Sequence, residues 1–135
     1  MTCFWNGILT SLDNATINSF LHRPYNDPKP RAKEFVQLLK RHNTQTNNVL
    51  WNDTILSQRE LEENFTHIKN YNENSIYQGY DCSTCDPFLL LIAQLFSVNI
   101  QHNYNGYTVH YKVKNNKGIR LLKYKSNRGH FWLEK

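Results

Sequence analysis

The run Phe88-Leu89-Leu90-Leu91-Ile92-Ala93-Gln94-Leu95-Phe96 constrains the fold of this chain more than any other stretch. Wound into a helix it is apolar almost all round, with Gln94 the one polar residue, so it offers water no face and belongs at the centre of a fold. Asp86-Pro87 stands directly before it. Asp is a favoured N-cap, and proline suits the first helical position, where its missing N–H has no partner to lose. A helix buried on all sides needs cover from the rest of the chain.

The residues upstream offer helices. Phe4, Trp5, Ile8, Leu9 and Leu12 recur at helical spacing, and Asp13-Asn14 reads as a stop. The breaker-rich stretch from Arg23 to Pro30 opens a second helix with Ala32, Phe35, Leu38 and Leu39 on its apolar face, ending near His42. Ser57-Gln58-Arg59-Glu60 is a capping box, with Leu61, Phe65 and Ile68 behind it. Between these, Asn43 to Asn48 reads as a loop, and Trp51, Ile55 and Leu56 form an apolar patch without periodicity.

Downstream the pattern changes to strands at Val98–Gln101, Tyr107–Val113, Ile119–Tyr124 and His130–Leu133. The separators Asn103 to Gly106, Asn115 to Gly118 and Ser126 to Gly129 carry turn chemistry. The expectation is one α+β domain over residues 1–135, with N-terminal helices packed on a small C-terminal antiparallel sheet.

Composition narrows the function. With 39% hydrophobic and 13% aromatic residues the chain is not of disordered type. No stretch approaches the roughly 20 apolar residues of a membrane span, and Met1-Thr2-Cys3-Phe4-Trp5 has no basic region of secretory type, so a cytoplasmic monomer away from membranes is expected. The net charge of +5 is spread over Lys29 to Arg41 and Lys112 to Lys125, which read as solvated faces, so no nucleic-acid partner is expected. Three cysteines in such a compartment read as thiols rather than a disulfide framework. Cys82-Ser83-Thr84-Cys85 is open to three readings: an incidental or structural pair, half a zinc site with His102 and His110, or a redox pair. No second CxxC accompanies it, and neither a metal nor a cofactor is expected.

Cys3 opens the first helix, where unpaired N–H groups and the helix dipole favour negative charge, the setting in which a thiol serves as a nucleophile. A histidine is then needed to take the proton and return it to the leaving amine. His130, between Gly129 and the aromatic pair Phe131-Trp132, is the candidate.

Four stretches join this pair to a family. They are Cys3-Phe4-Trp5-Asn6-Gly7-Ile8-Leu9, Glu34-Phe35-Val36-Gln37-Leu38-Leu39, the run from Pro87 to Ile100, and Gly118-Ile119-Arg120-Leu121 with Gly129-His130-Phe131-Trp132. Their order resembles the ovarian-tumour (OTU) family of cysteine proteases, most of them deubiquitinases, in a compact, viral-type form. The resemblance implies a papain-like fold and a thiol (iso)peptidase with Cys3 as nucleophile and His130 as base. The implied cut falls after the C-terminal Gly of ubiquitin or a ubiquitin-like protein, in the host cytoplasm if the chain is viral. Gly129, Phe131 and Trp132 would wall the narrow channel for the Gly-Gly tail, and Glu60, Glu62, Glu63 and Glu73 would meet ubiquitin's basic face. The family's Asp-Gly-Asn stretch has no counterpart before Cys3, so Asn6 is the candidate second oxyanion donor. Trp132 stands where the family places its His-orienting residue, so Asn127 is the candidate for that role.

Three alternatives stand beside this reading. One is a viral polyprotein-processing protease. Another is a non-catalytic basic and aromatic module binding protein or single-stranded RNA through Tyr104, Tyr107, Tyr111 and Tyr124. The third is a Thr2 N-terminal nucleophile.

Overall fold

The computed structural model describes residues 2–24, 26–77, 85–114, 120–127 and 130–134. Helix α1 spans Thr2–Ser11, α2 Asn14–Phe20, α3 Ala32–Arg41, α4 Gln58–Lys69 and α5 Cys85–Phe96, with a 3-10 turn at Glu73–Tyr77. The strands are β1 Val49–Trp51, β2 Thr54–Ile55, β3 Asn99–Tyr104, β4 Tyr107–Val113, β5 Leu121–Asn127 and β6 His130–Leu133.

Local chemistry sets the starts of α2 and α4. The Asp13 carboxylate accepts from the Thr16 N–H at 3.2 Å and from its hydroxyl at 2.7 Å, so the expected stop also starts α2. Those bonds to Thr16 hold the Asp13 carboxyl below the ordinary carboxylate range. Both halves of the capping box before α4 form: Ser57 Oγ accepts from the Glu60 N–H at 3.2 Å, and a Glu60 carboxylate oxygen accepts from the Ser57 N–H at 3.0 Å. Helix α5 begins one residue before its expected cap. Asp86 therefore lies inside the first turn, where it accepts a hydrogen bond from the Tyr111 hydroxyl.

Helix α5 is the centre of the molecule. Residues Phe88 to Ala93 are all 0–1% exposed, with Trp5 of α1 edge-on to Phe88 at 4.9 Å and Tyr71 at 4.9 Å. Each phenylalanine, leucine and isoleucine among Phe88 to Ile92 contributes roughly 1.5–3 kcal/mol relative to exposure. One cluster of buried side chains joins α1, α3, α5 and the sheet.

The sheet departs from the expected antiparallel C-terminal meander. Its order is β2-β1-β4-β3-β5-β6, and β3 and β5 are parallel. The unpatterned segment around Trp51 folds into the β1–β2 hairpin and pairs with β4 through Val49↔Val113, Leu50↔Lys112 and Trp51↔Tyr111. With that edge of β4 taken, β5 lies on the far side of β3, and a strand running opposite to β4 there must run parallel to β3. The expected turn at Asn103 to Gly106 shortens to Asn105-Gly106, both at positive φ (51° and 95°), which suits a two-residue hairpin. The expected turn at Asn115 to Gly118 lies outside the described residues.

Alternation decides which side chains enter the core. Along β5, Leu122, Tyr124 and Ser126 are buried, while Leu121, Lys123, Lys125 and Asn127 are exposed. The first set faces the core, where Tyr124 meets Ser11 of α1, and the second set faces water.

Candidate active site

Three contacts fix the direction of α1 along β6. Phe4 lies edge-on to Phe131 with ring centroids 4.8 Å apart. Gly7 passes so close to the same ring that a Cβ there would stand 3.1 Å from its carbons and 4.0 Å from the Leu133 nitrogen. Ser11, a turn further on, hydrogen-bonds through Oγ to the hydroxyl of Tyr124, whose register partner is Leu133. Helix and strand therefore run in the same direction. Cys3 precedes Gly7 by four residues, about 6 Å of helix, which corresponds to roughly two residues of strand at ~3.3 Å each. The first turn of α1 thus lies beside the start of β6, where His130 stands.

Cys3 is a free, half-buried thiol on that first turn, packed at the margin of the core. His130 is exposed, and its ring lies 5.7 Å from that of Trp132, two residues along on the same face. Strand alternation turns His130 and Trp132 away from the face that carries Phe131 and receives α1. No hydrogen bond joins Cys3 and His130. Asn127 is the register partner of His130 across β5 and β6. Directly opposed residues share a face with Cβ atoms about 5 Å apart, so the strand pairing sets Asn127 and His130 on one face.

Asn6 is exposed on α1, its carbonyl accepting from Thr10 Oγ1 at 2.7 Å. The expectation for Phe131 needs correction. It is 2% exposed, ringed by Phe4, Tyr124 at 5.0 Å and His102 at 5.4 Å, so it is core and forms no wall of an open channel. Gly129 lies outside the described residues, as does Cys82 of the CxxC. The carboxylates of α4 are engaged locally: Glu60 in its cap, Glu62 with Gln58 at 3.2 Å and Glu63 with Arg59 at 2.9 Å. Glu73 accepts from Gln37 at 2.9 Å.

A polar pair of which the sequence singled out only His102, as a zinc-ligand candidate, lies behind Phe131. His102 Nε2 and Ser126 Oγ are 2.6 Å apart, and the two residues are 4% and 2% exposed. Burial lowers the imidazole pKa of His102, with Asp86 opposing in part. A serine and a histidine at this distance form the first half of a nucleophile–base pair, but these are closed off from substrate. The signal was the alternation of β3 and β5, which puts positions 102 and 126 on the buried face. The tyrosines proposed for base stacking divide in the same way: Tyr111 and Tyr124 are 0% exposed, while Tyr107 is 78% exposed.

Among the described residues no cluster of three His, Cys, Asp or Glu side chains is placed to hold a metal ion, and no helix is long and apolar enough to cross a membrane. Comparison with family models, with curated proteins and with solved structures gives no match.

Proposed function

We propose that this chain is a cysteine-type (iso)peptidase of OTU type, cleaving after the C-terminal Gly of ubiquitin or a ubiquitin-like modifier. The observation that supports it most directly is the parallel run of α1 along β6, which brings the first turn bearing Cys3 beside the strand start bearing His130 and its partner Asn127. A thiol on a helix N-terminus and a His–Asn pair on the adjoining strands are the residue types of the Cys-His-Asn constellation of papain-like proteases.

In this reading the Cys3 thiolate attacks the glycine carbonyl, and the Cys3 N–H donates to the developing oxyanion with Asn6 as the further donor. His130 protonates the departing amine as the carbon–nitrogen bond breaks, leaving a thioester on Cys3. Water, deprotonated by His130, then attacks the thioester and releases the free carboxylate and the thiol. Asn127 is a positioning residue that holds the imidazole. Because His130 faces the outer side of the sheet, the mechanism requires its ring to turn round the start of β6, the terminal strand of the described sheet, when substrate binds. Catalytic hydrogen bonds commonly tighten only with substrate in place. Trp132, on the same face as His130, is the channel residue in this reading.

The test is a ubiquitin bearing a C-terminal electrophile, with the adduct located by mass spectrometry. Labelling at Cys3, lost in Cys3→Ala and strongly slowed in His130→Ala, is the expected result. Absence of labelling by ubiquitin and its relatives in a folded protein refutes the reading.

A further inference from the structure

The outer face of the sheet has no covering element among the described residues, and its composition is unlike that of a merely solvated surface. On β5, Lys123 and Lys125 stand two residues apart, about 6.6 Å along the strand. Register places Gln101 opposite Lys123 and Asn103 opposite Lys125 on β3, and Trp132 opposite Lys125 on β6. Beyond β3, His110 pairs with Gln101, and Lys112 lies two residues further along β4. The acidic groups on this side are peripheral. Asp53, in the β1–β2 turn, sits 3.3 Å from the Lys112 ammonium, and Glu134 follows β6 with its N–H on the Lys123 carbonyl at 2.9 Å. Of the other carboxylates, Glu60, Glu62, Glu63 and Glu73 lie on α4 and the turn after it, while Asp13 caps α2, Glu34 is on α3 and Asp86 is on α5.

We propose that this face binds single-stranded nucleic acid. The lysines follow a phosphate backbone, Gln101 and Asn103 meet base edges with amide donors and acceptors, and Trp132 offers a partly exposed ring on which an unpaired base stacks. A four- to six-stranded sheet presenting amides, cations and an aromatic to solvent is the platform by which single strands are held. An acidic peptide would need the lysines alone, whereas the amide row and the ring fit bases. The tyrosine-based version of such a module fails because Tyr111 and Tyr124 are buried; the exposed parity of the same strands carries this surface instead. The proposal shares Trp132 and the outer face of His130 with the peptidase reading, and the lysines of β5, which that reading does not use, tell the two apart.

Fluorescence anisotropy with a labelled single-stranded RNA of about 12 nucleotides tests it. Binding is expected, with log K falling against log salt at a slope near −2, from ~0.7 per phosphate for three lysines. Lys123→Glu with Lys125→Glu is expected to weaken binding at least tenfold at unchanged melting temperature, since both side chains are exposed. Trp132→Ala is expected to weaken it fivefold or more, and a duplex of the same length to bind less tightly than the single strand. If the charge-reversed protein misfolds, Lys123→Gln with Lys125→Gln serves, with the salt slope expected to become shallower by about 1.4. Absent binding at low salt, binding unaffected by the lysine changes, or competition by polyglutamate with Trp132→Ala neutral would each overturn the proposal, the last in favour of an acidic protein partner.

Discussion

Gly7 is where the geometry of α1 against β6 can be weighed most directly. In mid-helix, Gly→Ala ordinarily stabilises by about 1 kcal/mol, because alanine restricts the unfolded chain and suits the helix. Here the added methyl would stand 3.1 Å from two carbons of the Phe131 ring, tighter than a comfortable contact by a few tenths of an ångström. The ring cannot easily give way, being held by Phe4, Tyr124 and His102. Overpacking of this kind costs about 1–3 kcal/mol, so the penalty exceeds the propensity gain and Gly7→Ala should lose about 1 kcal/mol net. For a chain of this size that is roughly 4 °C in Tm. Urea unfolding followed by circular dichroism measures it, and a double-mutant cycle assigns the cause. In a Phe131→Leu background the clash partner is gone, so Gly7→Ala should be neutral or stabilising, with a coupling of about 1–2 kcal/mol. A gain of about 1 kcal/mol from Gly7→Ala in the unaltered protein would refute the reasoning, and with it the direction of α1 on which the placement of Cys3 depends.

Three further outcomes are expected. His102 is kept neutral by burial, so its folded pKa lies below the unfolded value near 6.5; the unfolded chain then binds the extra proton, and stability is full above about pH 6.5 and falls as the pH drops below it. Urea midpoints between pH 7.5 and 5.5 should show this fall, and the paired change His102→Leu with Ser126→Ala should flatten it. Ser57→Ala removes one half of the capping box and should cost about 1 kcal/mol in urea unfolding, with Ser57→Asp restoring most of it; equal stability of all three proteins would mean that the cap does not form. Asn127→Ala should slow electrophile labelling of Cys3 and shift its pH profile, with Asn127→Asp rescuing part of the rate, whereas a purely structural Asn127 would change stability and leave the profile in place.

The legible parts of this chain are those decided by neighbours in sequence. The Ser57–Glu60 box, the Asn105-Gly106 turn and the central position of Phe88 to Ala93 each follow from bonds or periodicity within a few residues. Helix α2 is hidden in the sequence because Asp13 reads as ending one helix, although the same carboxylate caps the next. The three-residue strand at Trp51 is too short to show a period, and it becomes a strand only because β4 offers it an edge.

For the candidate site, the residues alone singled out Cys3 and His130, since a thiol at a helix start and a histidine beside a turn are local signals, whereas Asn127 came only with the family resemblance. Which of them meet is a matter of register and of faces. Pairing of β5 with β6 sets Asn127 against His130, and the pleat sends Phe131 into the core while leaving Trp132 and the lysines of β5 outside. A shift of one residue in that register would exchange the two faces. Sequence by itself therefore determined the elements, their caps and the inventory of reactive groups. The tertiary structure decided the order of the strands, the face on which each group stands and the path of α1 along β6, because these depend on pairings outside any local window, such as Val49 with Val113 and Phe4 with Phe131.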